Sequence, residues 1–171
     1  PKLQAEPYQA NWESLKKHKA APEWFRDAKF GIYFCWGPYS VPAFDTEWYP
    51  RNMYLKNLRA YKHNVQKYGD PAEFSYIDFI PMFKAEKFDA DEWADLFVRA
   101  GARFAGPIAE HCDGFAMWDS EITPWNAKDM GPKRDIVGEM GKAIRKRDMK
   151  FITTFHNTWN YLWGPEPVEM G

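Results

Sequence analysis

At 171 residues the chain is long enough for one domain with a real core and too short for two ordinary ones. Lys and Arg total 23 against 24 Asp and Glu, a formal net charge of -1, so no charge excess calls for nucleic acid or an anionic membrane as partner. No run of roughly 18 or more apolar residues is present to span a bilayer, and two cysteines, Cys35 and Cys112, make neither a disulfide framework nor a CxxC zinc pattern.

Residues 1–28 are rich in Pro and Lys and lack the charged start and apolar centre of a secretory signal. They read as a lead-in that packs on a larger body, with one short helix expected at 11–17, capped by Asn11. Residues 29–35 form a continuous apolar run that stops at Trp36-Gly37-Pro38, which predicts a strand buried on both faces. From 38 to 70 the pattern turns irregular, with Trp48, Tyr49, Tyr54 and Tyr61 interleaved with Arg51, Lys56, Arg59 and Lys62. Such interleaving can track single-stranded nucleic acid, but the balanced charge argues against it. A helix from near Arg51 to Gly69-Asp70-Pro71 is expected instead.

Residues 89–101 predict an amphipathic helix. Trp93, Leu96, Phe97 and Ala100 fall at i, i+3, i+4 and i+7, acids crowd the first turn, and Gly101 closes it. A strand at 103–109 follows. Lys133-Arg134-Asp135 opens another helix, with Ile136, Val137, Met140 and Ile144 on one side and basic residues at 145–147 in its last turn. A third strand at 149–155 ends in His156-Asn157.

Strand, helix, strand, helix, strand is the βαβ rhythm of an α/β protein with a parallel sheet, whose ligands collect at the carboxyl ends of the strands. Cys35-Trp36, His111-Cys112-Asp113 and His156-Asn157 therefore share one rim. His111 there can serve as hydrogen-bond donor, general base, metal ligand or structural residue. The addition of His156 and two thiols favours a ligand site. Cys35, Cys112, His111 and His156 could surround a soft metal if placed tetrahedrally. A Cys35–Cys112 disulfide needs Cα atoms within roughly 7 Å. Glu47 and Trp48 follow the first strand, where a carboxylate beside an indole can grip a sugar hydroxyl, or be an exposed Glu beside a packing Trp. Asp113 precedes Gly114 and Asp119 precedes Ser120, so both read as turn chemistry and neither as a nucleophile. Aromatic residues are 18% of the chain. Most belong to the core, although rings with polar tips also suit sugar faces.

The run from Trp24 to Ala43, with Glu47-Trp48-Tyr49 and Arg51-Asn52-Met53-Tyr54, closely resembles the start of the α-L-fucosidase glycoside hydrolases. So do His111-Cys112-Asp113-Gly114-Phe115, Trp118-Asp119-Ser120, Trp125-Asn126 and the run from Gly131 to Glu139. The resemblance implies the N-terminal portion of a TIM-like (β/α)8 barrel, with about three of its parallel strands and their crossover helices. Residues 1–28 would be a lead-in and 29–171 an incomplete catalytic domain. It implies retaining hydrolysis of α-L-fucosides without metal or cofactor, through two carboxyl groups roughly 5 Å apart. Glu47 is the acid/base candidate, and Trp36, Trp48, His111, His156, Cys35 and Cys112 are the candidate sugar contacts. The motif that carries the nucleophilic Asp is not found before Gly171.

Two positions depart from the family pattern: Cys35 stands where it has the His of His-Trp-Gly, and Cys112 where it has the second His of His-His-Asp-Gly-Phe. Each exchange removes a hydrogen bond of about 0.5–1.5 kcal/mol. The implied partner is a fucoside or fucosylated glycan, in an extracellular, periplasmic or lysosome-like setting. Three strands cannot close a barrel, so pairing with the rest of the barrel or self-association is expected. The competing expectation is a non-catalytic half-barrel that serves as an interaction module.

Overall fold

The computed structural model describes residues 8–18 and 21–156. Its centre is β2 (Phe104–Glu110), buried without alternation from Ala105 to Ala109, as befits a strand covered on both faces. β1 (Gly31–Phe34) pairs with it in parallel, from Gly31 opposite Phe104 to Phe34 opposite Pro107. On the other side β3 (Lys150–Phe151) and β4 (Thr154–Phe155) also run parallel to β2. The three parallel passes of the chain are those the sequence predicts.

Two expectations about these strands need correction. The third pass is broken at Ile152-Thr153 instead of running unbroken through 149–155. Pro107 has no N–H for the ladder, and Thr153 Oγ1 donates to its carbonyl at 3.0 Å. Gly106 lets the Ile152 carbonyl come so close that a Cβ at that position would lie 1.6 Å from the oxygen. The register between β2 and β4 shifts at the same point, between Ile108 and Glu110. The first strand, expected to be buried on both faces, is an edge among the described residues, with Tyr33 46% and neighbouring Phe30 48% exposed.

The helices follow their caps. α1 (Trp12–Leu15) begins at Asn11, whose side chain accepts from Ser14 N at 2.8 Å, as expected. α2 (Glu23–Ala28) was not signalled; its Trp24 and Phe25 rings lie against Phe104. The single helix expected from Arg51 to Gly69 is two, α3 (Tyr49–Asn52) and α4 (Arg59–Lys67). Dividing them lets Tyr49 of α3, Met53 just after it and Ala60 of α4 pack into a shared cluster with Phe79. Asp45 braces the division, accepting from Asn52 Nδ2 at 3.2 Å and Arg59 Nε at 2.6 Å.

α5 (Ala90–Arg99) is capped by Asp89, whose carboxylate accepts from Asp91 N and Glu92 N. Of the expected stripe, Phe97 is buried and Trp93 packs on the core, while Leu96 is 52% exposed and Ala94 takes the buried place beside them. α6 (Ile136–Lys146) starts at Asp135, which accepts from Gly138 N at 2.8 Å, and it buries Ile136, Met140 and Ile144 as its spacing predicts. α5 and α6 pack against each other, clipped by Arg147 to Asp95 at 2.6 Å and to Asp91 at 2.5 Å. The main core, with Ala105, Phe115, Met117, Phe83 and Phe88, supports β2 from the helix side. No helix among the described residues is long and apolar enough to cross a membrane.

Candidate active site

Two consecutive residues of a continuing strand would point to opposite faces. At the end of β2 they need not, because the strand stops at Glu110 and a turn follows, closed by Gly114 N donating to the His111 carbonyl at 3.0 Å. Gly114 takes φ +71°, the left-handed region that favours glycine. His111 and Cys112 are consequently both buried, at 4% and 2% exposure. β4 delivers the third group: His156 N donates to the Glu110 carbonyl at 3.0 Å, which holds the half-buried His156 ring 4.8 Å from that of His111. The Cys112 thiol donates to the His156 carbonyl at 3.3 Å. From the exposed side of β1, the Tyr33 hydroxyl meets His156 Nε2 at 3.2 Å.

The loop after β1 adds the other groups. Trp48, just before α3, stands edge-on to His111 at 6.4 Å between ring centroids. The Glu47 carboxylate is close enough for its charge to act on Cys35, Tyr33, Tyr39 and His111. The structure thus gathers Glu47, Trp48, His111, Cys112, His156 and Cys35 of the residues expected at the rim. It does not bring Trp36 there. That ring turns toward the helices and packs on Phe83, Phe88 and Trp93 at 5.1 to 5.2 Å, so its sequence neighbourhood misled: it is a core residue of the helix side. Cys35 is exposed and Cys112 buried, both as free thiols with no disulfide between them.

Burial governs the electrostatics. It lowers the His111 pKa to about 4, helped by the neighbouring His156 and opposed by Glu47, so the ring is neutral at neutral pH. Burial also raises the Cys112 thiol, with the Asp113 charge adding to it. Asp113 is raised to about 6 by burial, despite accepting from the Tyr76 hydroxyl at 2.6 Å and from Phe115 N at 3.2 Å. The second of these bonds is the turn role its position before Gly114 predicts. The first comes from a residue 37 positions away.

Three tyrosines escaped the sequence reading. Tyr33 sits two residues before Cys35, and strand alternation places both on one side, a signal that was available. Tyr39, in the 3₁₀ turn Pro38–Ser40, is buried at 7% exposure and lies 5.4 Å from the His111 ring. Its hydroxyl has no hydrogen-bond partner among the described residues, and burial holds its pKa far above the usual tyrosine value. Tyr76, opening the 3₁₀ stretch Tyr76–Met82, had no local signature.

A family model described as Alpha-L-fucosidase matches residues 1–167. Rat tissue alpha-L-fucosidase is 44% identical over 145 residues, which are 84% of this chain and 31% of that protein. Human plasma alpha-L-fucosidase is 42% identical over 153 residues, 88% of this chain and 32% of its own length. The crystal structure of Thermotoga maritima alpha-fucosidase in complex with fucose superposes with a TM-score of 0.82 at 40% identity, covering 87% of this chain and 37% of that one. The chain spans about a third of the length of the relatives it matches, and by the family match and these identities it belongs to the alpha-L-fucosidase family.

Proposed function

We propose that this chain forms the first three strand units of a (β/α)8 barrel that hydrolyses α-L-fucosides with retention, residues 1–28 being a lead-in and 29–171 the start of the catalytic domain. The observation that carries this reading is the placement of the Glu47 carboxylate among His111, Tyr39 and Tyr33, with Trp48 edge-on to the same imidazole. An indole wall, a buried imidazole and a buried hydroxyl lacking a partner among the described residues suit a sugar ring with several hydroxyls. Kinship with a fucosidase whose structure holds fucose supports fucose as the sugar. Fucose would then accept or donate hydrogen bonds at His111, His156 and Tyr39, with Cys35 and Cys112 as weaker contacts. In this reading Glu47 protonates the glycosidic oxygen as the aglycone leaves, then takes a proton from the attacking water. The carboxylate that attacks C1 comes from a segment other than the described residues.

A second reading, a half-barrel that binds rather than hydrolyses and that associates with itself or with the rest of the barrel, is favoured by the apolar surface at Phe30, Tyr33 and Phe155, each about half exposed. Two measurements separate them. Nitrophenol release from a nitrophenyl α-L-fucoside that is sustained by this chain and abolished by Glu47→Gln supports autonomous catalysis. No turnover, with mass increasing with concentration in sedimentation, supports the binding module. In either case L-fucose should quench or enhance tryptophan fluorescence saturably, and His111→Ala should weaken that response. Absence of any fucose-dependent signal in a folded sample refutes the sugar site itself.

A further inference from the structure

The side chains of His111, Cys112 and His156 converge on one point of the rim. One potential ligand atom from each, an imidazole nitrogen, the Cys112 sulfur and a second imidazole nitrogen, all lie within 4.8 Å of one another. Zinc in a tetrahedral site holds nitrogen at about 2.0–2.1 Å and sulfur at about 2.3 Å, so its ligand atoms stand roughly 3.3–3.7 Å apart. Closing from the observed separations takes about 1 Å, within reach of side-chain rotation on a fixed backbone. The backbone is fixed here: His156 N is tied to the Glu110 carbonyl next to His111, and the His111 carbonyl is tied to Gly114 N. We propose that His111, Cys112 and His156 form a site for a borderline-soft divalent cation, zinc being the best fit, at the carboxyl ends of β2 and β4.

The surrounding groups complete the site. The Tyr33 hydroxyl lies 3.2 Å from His156 Nε2. With His156 ligating through Nδ1, the Nε2–H donates to that hydroxyl oxygen, the kind of outer contact that fixes the ring of a metal-bound histidine. The Cys112 sulfur now donates its proton to the His156 carbonyl. On binding, that proton leaves to solvent and the thiolate turns from the carbonyl to the cation, so one proton is released per ion bound. Three protein ligands leave a fourth tetrahedral position for water. Cys35 is close enough to Tyr33 to act on its hydroxyl, but its thiol lies outside the three-ligand cluster. The same imidazoles cannot ligate a cation and grip a sugar at once, so an occupied site blocks the pocket. The metal site rests on the ligand geometry and stands whether or not fucose binds there.

The test is a Co2+ titration of the full chain, reduced and freed of metal by chelator, followed by visible absorption without sugar. The expected result is one equivalent of Co2+ bound with a thiolate-to-cobalt charge-transfer band, proton uptake by a pH indicator matching one proton released, and displacement by Zn2+. Cys112→Ser should abolish the charge-transfer band, and His156→Ala should weaken binding by at least about tenfold. His156 is half-buried, so its variant reads the site without disturbing the buried thiol. No saturable thiolate band in the folded parent chain, a band that survives Cys112→Ser, or unchanged affinity in His156→Ala overturns the proposal.

Discussion

His111 and Asp113 lie two residues apart in the same turn, and burial keeps both neutral over a shared range of pH. His111 titrates at about 4 in the fold against an ordinary 6.5, so the unfolded chain takes up its proton first as pH falls. The stability it contributes is full above pH 6.5 and is lost on the way down to 4. Asp113 behaves oppositely, titrating at about 6 in the fold against an ordinary 3.8. There the folded chain takes the proton first, so stability is gained as pH falls through 6 and is lost as pH rises through it. Between about 4 and 6 the two effects oppose, because folded and unfolded states hold the same number of protons on this pair. Each alone has a slope of about 1.4 kcal/mol per pH unit. Integrated from pH 7 to 4.5, His111 costs roughly 2.4 kcal/mol and Asp113 returns about 2 kcal/mol. Urea unfolding across that interval should show little dependence from this pair in the parent chain. Asp113→Asn should expose the His111 slope, losing about 2 kcal/mol more than the parent on acidification, and His111→Asn should gain a similar amount relative to it. Any constant offset from the altered Tyr76 bond is irrelevant, since the slope is the readout. Comparing differences between profiles also cancels Asp91 and Asp95, whose carboxyls are held low by hydrogen bonds from Arg147. Parallel profiles for parent and Asp113→Asn would refute the opposing-proton account.

Gly106→Ala places a methyl group against the Ile152 carbonyl, where the Cβ would lie 1.6 Å from the oxygen. Backbone has to move, so a loss of about 3 kcal/mol or more is expected in urea unfolding, with weakened protection of the Ile152 amide in hydrogen exchange. Asn126→Leu should cost about 2–4 kcal/mol by the same unfolding measurement. The buried Asn126 side chain donates to the Thr123 carbonyl and Asp129 carboxylate and accepts from Lys128 N and Asp129 N, and leucine replaces none of these bonds.

Much of this fold is written in local pattern. α5 and α6 carry acid caps, Asp89 and Asp135, before apolar spacing of helical period, and both caps bond the backbone as their positions imply. β2 announces itself as an apolar run between a helix and a polar turn. Failures arise where a distant partner decides. Nothing local says that Gly106 and the Ile152 carbonyl will meet where the third pass splits, because they are 46 residues apart in sequence. On α5, Trp93 and Phe97 reach the core as their spacing predicts, Trp93 against Trp36 and Phe88, whereas Leu96, on the same predicted stripe, is 52% exposed.

The site divides along the same line. That three strand ends share a rim follows from parallel order alone, and in the structure the side chains of His111, Cys112 and His156 meet there, with Cys35 outside that cluster but near Tyr33. Order along a strand end does not say which way a side chain turns: Trp36, expected at the rim, packs on the helix side, and Tyr39, which carried no expectation, reaches His111. Both follow the first strand within five residues, both are aromatic, and composition cannot rank them. The difference is the 3₁₀ turn Pro38–Ser40: it rotates Tyr39 back toward His111, while Trp36, before the turn, keeps the helix side. The consequence is chemical as well as geometric. An indole has one donor and no acceptor, whereas the buried Tyr39 hydroxyl can both donate and accept. The turn therefore places beside the imidazole of His111 a group able to answer either polarity of a bound hydroxyl, and the apolar indole stays with the core that holds β1 in place.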